Sequence, residues 1–319
     1  MKKERILVTG GSGYVGSSTI LKLLQDGYSV KTTVRSALRA TQLSDTLVKA
    51  GISSLNNLEF IEADLNDDKN WDAAVAGCDY VLHVASPLPH AEPKNDDDVI
   101  IPARDGALRV LKAARDANVK RVVLTSSFAA VGYTINEPGH VFDEADWTDS
   151  SMPNPAYIRS KVIAEEAAWD FIENEGGKLE LSVIIPTGIF GPVFNNDYSL
   201  SIQLIKDILN GGSMENFDFF FGVIDVRDVV LMHLNAMTNP DANGHRFIAT
   251  SDDIVSCYDI AELIKKERKD RSQAIGSIKS IDQNRRIKIS NEKAKSYFNW
   301  KPISWKDTIL ATVDSLPSL

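Results

Sequence analysis

The stretch 9-TGGSGYVG-16 decides the fold. It follows the short apolar run 5-RILVT-9, which reads as a strand, and it opens a segment whose apolar residues recur with helical period. Over residues 14–26, Val15, Thr19, Ile20, Leu23 and Leu24 share one stripe, and Gly27 then stops the helix. The glycines can be taken as Gly10-x-x-Gly13-x-x-Gly16 or as Gly11-x-Gly13-x-x-Gly16. In either frame the first glycine permits a tight turn, Gly13 lets backbone approach a pyrophosphate, and Gly16 lets helix and strand pack closely. The helix N-terminus adds free N–H groups and the positive end of its dipole. The implied ligand is a dinucleotide, and Gly10, Ser12, Gly13, Tyr14, Val15 and Gly16 are its candidate phosphate contacts.

Outward from this turn, strand and helix patterns keep alternating. "SVKTTV" (29–34), "LEFIEA" (58–63), "DYVLHV" (79–84), "RVVLTS" (121–126) and "LSVIIP" (181–186) read as further strands. They are mostly apolar rather than alternating, which suits parallel strands covered on both faces. The expected fold is α/β, a Rossmann-type doubly wound parallel sheet built by right-handed crossovers. After Pro186 the regularity breaks. Residues 188–222 are rich in Gly, Asn and Phe, 222–237 reads as strand then helix, and the tail 251–319 is mostly helical. The expected domains are 1–187 plus 223–250 for the dinucleotide, and 188–222 plus 251–319 as a smaller, mostly helical substrate lobe.

Composition narrows the function classes. The 319 residues are 43% apolar and 25% charged, enough apolar chain for a sizeable core. A formal charge of −9 argues against nucleic acid or an anionic membrane as partner, since both require a concentrated basic surface. Cys78 and Cys257 are the only cysteines, so a disulfide-stapled fold is not expected and a reducing cytoplasm is. The start "MKKERILVTGG" lacks the hydrophobic length of a signal peptide, and no run approaches a membrane span. The histidines and cysteines show no metal-ligand spacing, so no metal is expected.

Which dinucleotide is expected follows from the second strand. NAD binders place an acid at its end for the ribose 2′-hydroxyl. Here it ends "TTVRSALR", with Arg35 at that place and Arg39 four residues on, both suited to a 2′-phosphate. NADPH (NADP+) is therefore expected, with NADH a weaker alternative. In "62-EADL-65", Asp64 is placed either to accept from the adenine amino group, with Leu65 over the ring, or to cap the following helix.

Downstream, "157-YIRSK-161" opens a strongly helical segment preceded by "NPA", so Tyr157 and Lys161 stand one turn apart on one face. Alone the pair is non-specific. Beside a dinucleotide loop it has a use, because hydride transfer to a carbonyl needs a proton donor. A free phenol titrates near 10, and a neighbouring ammonium is expected to lower it. The end of the fifth strand, "124-LTSSFAAV-131", offers Ser126 and Ser127 to polarise the substrate oxygen, and periodicity does not choose between them.

Taken together, "TGGSGYVG", "HVASP" (83–87), "VVLTSSFAAV", "YIRSKVIAEEAAWDF" (157–171), "IIPTGIFGP" (184–192) and "IDVRDV" (224–229) resemble the extended short-chain dehydrogenase/reductases. The resemblance is nearest to the branch of dihydroflavonol 4-reductases and NADPH-dependent methylglyoxal and carbonyl reductases. It implies an oxidoreductase that reduces an aldehyde or ketone, with Ser127 as the catalytic serine, Tyr157 as acid/base and Lys161 as its modulator. It also implies that Arg35, Arg39, Asp64 and Leu65 hold the adenosine half of the cofactor. Val84, Ala85 and Ser86 would run beside the cofactor, and Pro186 and Thr187 beside the nicotinamide. The segment between Ser127 and Tyr157 is shorter than in plant or fungal members. The aromatic run 217-FDFFFG-222 hints at a substrate with an apolar body, or at core packing. A nucleotide-sugar epimerase or dehydratase on the same scaffold would need arginines in the tail for a diphosphate. A non-enzymatic NADPH-binding redox sensor would not need the Tyr–Lys pair. The expected partner is a small carbonyl compound, with the protein a monomer or homodimer.

Overall fold

The computed structural model describes residues 4–87, 93–194 and 198–317; the N-terminal tip and part of the 188–222 insert lie outside them. In chain order the first elements are β1 (Arg5–Thr9), α1 (Tyr14–Gln25), β2 (Ser29–Val34), α2 (Ala37–Lys49), β3 (Leu58–Glu62), α3 (Trp71–Val75), β4 (Tyr80–His83), α4 (Asp97–Asp116) and β5 (Arg121–Thr125). There follow β6 (Val141–Phe142), α5 (Ala156–Asn174), β7 (Glu180–Pro186), β8 (Gly188–Phe190), α6 (Leu200–Leu209), β9 (Phe221–Asp225), α7 (Val226–Thr238) and β10 (Arg246–Ala249). The chain ends with β11 (Ile254–Val255), α8 (Cys257–Glu267), β12 (Lys288–Ile289), α9 (Glu292–Phe298) and α10 (Trp305–Ser315).

Among the described residues, seven strands form one sheet in the order β10-β7-β5-β4-β1-β2-β3. The pairings β1–β2, β2–β3, β1–β4, β4–β5 and β5–β7 are all parallel. The strands are mostly apolar because helices flank the sheet, α1 packing with α2 and α4 with α5. Ile6, Leu7, Val8, Val81, Leu82, Val122, Val123, Leu181 and Val183 are wholly buried. The chain leaves β1 in one direction for β2 and β3 and in the other for β4, β5 and β7. The order therefore reverses between β1 and β4, and a doubly wound sheet opens a ligand crevice at that point, outside its strand C-termini.

Contacts divide the chain into two units: residues 1–135, 144–185 and 230–247 in the first, and 136–143, 186–229 and 248–319 in the second. This division departs from the expected boundaries at 136–143, 186–187, 223–229 and 248–250. The reason lies in strand pairing: β6 joins β12, and β9 joins β8 and β11, all within the second unit. Asp228 is buried there, accepting from Trp300 Nε1 at 3.0 Å and Ile303 N at 2.8 Å, so the "IDVRDV" motif ties the tail down. Of the aromatic run, Phe220 is core, packed with Ile254 and Ile281, whereas Phe219 is 45% exposed.

Cys78 and Cys257 are free, buried thiols, pushed up by burial to about 11 and about 12. No helix among the described residues is long and apolar enough to cross a membrane.

Candidate active site

The glycine turn takes the Gly10 frame. Gly10 has φ +68°, a conformation that L side chains rarely adopt, and its N–H donates to Thr33 Oγ1 at 3.0 Å. A Cβ on Gly16 would stand 2.2 Å from the Gly10 carbonyl oxygen, so close helix–strand packing requires glycine there. Around Gly13 the nearest atom to such a Cβ is the Gly10 oxygen at 3.4 Å, which leaves space above the turn. Gly13 is also the N-cap of α1, with no side-chain cap and no acid in the first turn. The positive end of the α1 dipole there is what a pyrophosphate would meet. Ser12 and Val15 are half-buried at this turn, and Tyr14 is buried beneath it.

Thr9, at the end of β1, organises the adjoining strand end. Its Oγ1 accepts from Val84 N at 3.1 Å and Ala85 N at 3.0 Å, and lies 2.8 Å from His83 Nδ1. Since two N–H groups already point at that oxygen, its hydroxyl proton goes to Nδ1, and the proton of neutral His83 sits on Nε2. Burial, with Lys161 adding to it, lowers His83 to about 3, so it stays neutral. The segment Val84–Ser86 thereby runs against the glycine turn, Ala85 Cα lying 3.0 Å from where a Gly10 Cβ would be.

Arg35 directly follows β2 and is exposed; Ser36 caps α2 by accepting from Arg39 N, which places Arg39 in the first helical turn. Asp64 is not a helix cap, since α3 starts only after Asn70. Its Oδ1 accepts from Asn66 N at 2.9 Å and from Asn66 Nδ2 at 3.0 Å, forming an Asx turn. Leu65 packs on α4, where a Cβ on Gly106 would meet Leu65 Cβ at 2.9 Å.

Tyr157 and Lys161 lie in the first turns of α5, both half-buried. Lys161 Nζ donates to Ser86 Oγ at 2.9 Å and stands 5.7 Å from the Tyr157 ring centroid. Ser127 follows β5 in extended conformation, φ −157° and ψ 151°. Its Oγ accepts from Ala129 N at 3.2 Å, and its hydroxyl is the group that draws the Tyr157 phenol downward. Ser126 is buried and donates to Glu165 instead. Of the two serines, Ser127 is the one whose hydroxyl acts on the phenol.

The electrostatics differ from the sequence expectation. Burial pushes the Tyr157 phenol above its ordinary value, and the Ser127 hydroxyl pulls it only part of the way back. The Lys161 ammonium is desolvated as well: burial lowers it to about 8, with Glu165 acting the other way.

Pro186 ends β7, and Thr187 donates its N–H to Ala249 O at 3.1 Å and its hydroxyl to Thr250 Oγ1 at 3.2 Å, inside the second unit. Sequence reasoning assigned no role to Thr9, His83, Glu165 or Arg246. The signal for His83 was its place at a strand end in "HVASP". For Glu165 it was a carboxylate one turn beyond Lys161 on the buried stripe of α5.

Comparison with known proteins agrees with this architecture. The profile of the NAD dependent epimerase/dehydratase family matches residues 6–249. An anthocyanidin reductase of Vitis vinifera is 36% identical over 282 residues, 83% of this chain and 81% of that one. A Candida albicans protein bearing the name NADPH-dependent methylglyoxal reductase is 32% identical over 327 residues, 95% of this chain and 96% of that one. The crystal structure of yeast methylglyoxal/isovaleraldehyde reductase complexed with NADPH superposes with a TM-score of 0.86 at 25% identity, over 98% of this chain and 97% of that one. The chain therefore belongs to the NAD dependent epimerase/dehydratase family, the extended short-chain dehydrogenase/reductases, and its relatives there include reductases.

Proposed function

We propose that this protein is an NADPH-dependent carbonyl reductase, converting an aldehyde or ketone to the alcohol with Tyr157 as proton donor. The observation that carries the reading is Lys161, donating to Ser86 Oγ at 2.9 Å and standing 5.7 Å from the Tyr157 ring centroid, on the helix whose tyrosine the Ser127 hydroxyl draws downward. The residues suit the cofactor. The N-terminus of α1 and Gly13 would receive the pyrophosphate, and Arg35 with Arg39 the 2′-phosphate. Asp64 and Leu65 would hold the adenine, Val84–Ser86 the ribose, and Pro186 and Thr187 the nicotinamide. When bound, NADPH supplies the hydride.

This chain's own groups do the rest. Ser127 and Tyr157 donate hydrogen bonds to the carbonyl oxygen and hold the carbonyl carbon in reach of the hydride. Tyr157 then releases its proton to the developing alkoxide. Because burial raises the phenol, it is held protonated at neutral pH, which suits an acid in the reduction direction. Lys161 adds a nearby positive charge that favours the phenolate left behind.

The epimerase alternative is disfavoured by the tail, whose arginines are engaged by protein groups. Arg268 pairs with Asp314 at 2.6 Å, Arg271 donates to Pro317 O at 2.9 Å, Arg285 pairs with Asp218 at 2.9 Å and Arg286 donates to Ile254 O at 2.6 Å. We also assign residues 1–187 with 223–250 to cofactor binding and the remainder to the substrate, and place the protein in the cytoplasm as a monomer or homodimer. The paired test is NADPH oxidation against aldehydes, diketones, ketoesters and sugar nucleotides. Turnover of carbonyl compounds is expected, and turnover confined to sugar nucleotides would overturn the proposal.

Two further results are expected. Arg35→Ala weakens NADPH binding about 10–100-fold, the ~1.5–3 kcal/mol of a charge-assisted contact, and leaves NADH binding almost unchanged. Equal loss for both cofactors in fluorescence titrations counts against a 2′-phosphate contact. The second concerns Lys161, lowered to about 8 in the free protein. An anionic cofactor favours its charged form, so the complex holds more protons than the free protein above about pH 8. NADPH affinity therefore declines as pH rises past about 8, with proton uptake measurable by calorimetry in buffers of different ionisation enthalpy. Lys161→Met abolishes the uptake.

A further inference from the structure

The side chains on either side of the Ser126–Ser127 peptide have opposite fates. Ser127 Oγ accepts from Ala129 N at 3.2 Å and draws the Tyr157 phenol downward, whereas Ser126 is 6% exposed and donates to Glu165 Oε2. Glu165 belongs to α5, the helix that carries Tyr157 and Lys161. It is 1% exposed and forms a buried ion pair with Arg246 at 2.6 Å. Trp169 Nε1 also donates to it, at 3.3 Å. Arg246 in turn donates to Glu144 O at 2.9 Å and Asp146 O at 3.0 Å, and its guanidinium carbon lies 3.6 Å from the Trp147 ring centroid. One carboxylate thus joins the end of β5, the body of α5, the start of β10 and the segment that leads into α5.

We propose that Ser126 and Glu165 form a positioning pair that aims Ser127 at Tyr157. In extended backbone, successive side chains point to opposite faces, so anchoring Ser126 inward sets the direction of Ser127. The anchor is on the same helix as the tyrosine, so serine and phenol are referenced to one rigid element rather than to two. Neither Ser126 nor Glu165 touches the reacting atoms; both act through Ser127. An anchored neighbour matters because misplacing a reacting group by about 1 Å can cost on the order of 100-fold in rate.

The inference rests on Tyr157 as the acid, and the test separates its failure from that of the proposed activity. Ser126→Ala removes one hydroxyl and leaves Glu165 with Arg246 and Trp169. With the wild-type full chain reducing a carbonyl substrate, Ser126→Ala is expected to lower kcat about 10–100-fold while the Kd for NADPH stays within about twofold. In protein labelled with ¹³Cζ-tyrosine, and without cofactor, the Tyr157 resonance, assigned with Tyr157→Phe, should move in Ser126→Ala as it does in Ser127→Ala. A lowered melting temperature with kcat within about twofold of wild type, or an unmoved Tyr157 resonance, overturns the positioning role. If the wild type reduces no carbonyl compound, the proposed activity fails, and the resonance alone still decides whether Ser126 aims Ser127.

Discussion

Tyr157→Phe is expected to lower kcat for carbonyl reduction about 10²–10⁴-fold, the usual worth of a positioned general acid, with NADPH binding retained. The substitution removes one oxygen and keeps the ring, so the helix start and the packing around residue 157 persist. Lys161 keeps its bond to Ser86 and its place near the ring, because neither contact involves the phenolic oxygen. Ser127 keeps its bond from Ala129 N and loses only its partner on the tyrosine. What disappears is the proposed proton source and one of the two proposed donors to the substrate oxygen. Separate measurement of NADPH affinity and of single-turnover rate checks this. A single-turnover rate within about tenfold of wild type would mean that another group supplies the proton.

The other large effect is on stability. Glu165→Ala strands the buried guanidinium of Arg246, now without its carboxylate at 2.6 Å, and breaking such a pair costs about 3–5 kcal/mol. Ser126 and Trp169 lose an acceptor in the same step. The double variant Glu165→Leu/Arg246→Met removes both charges, so no ion is left unpaired, and its loss should be smaller than the sum of the two single losses. Urea unfolding curves with an unchanged m-value measure these differences. Additive losses would show that the two side chains contribute independently.

The legible parts of the site were those carried by short sequence separations. The glycine turn, Arg35 after its strand and the Tyr157–Lys161 pair each depend on a few neighbouring residues and the period of one element. The choice between Ser126 and Ser127 was not local. It depends on Glu165, 39 residues away, which takes the hydroxyl of the first serine and leaves the second to the tyrosine. Likewise the Thr9–His83 contact spans 74 residues, and the ion pair of Glu165 with Arg246 spans 81. Strand alternation and helical stripes mark such residues as buried without saying what they meet. The direction of the Tyr157 shift was missed for a related reason. Neighbouring charge can be read from spacing, but desolvation depends on everything packed around the phenol.

From the amino-acid order alone come the doubly wound sheet, the position of the glycine turn, the arginines after the second strand and the Tyr–Lys face of one helix, because each is set by local geometry and residue type. Tertiary structure alone decided that Ser126 turns to Glu165, that β6 and β9 pair within the second unit, and that the tail arginines are engaged by protein groups. Those outcomes depend on which distant groups are buried together, and burial fixes both the partner a polar side chain takes and the charge it keeps.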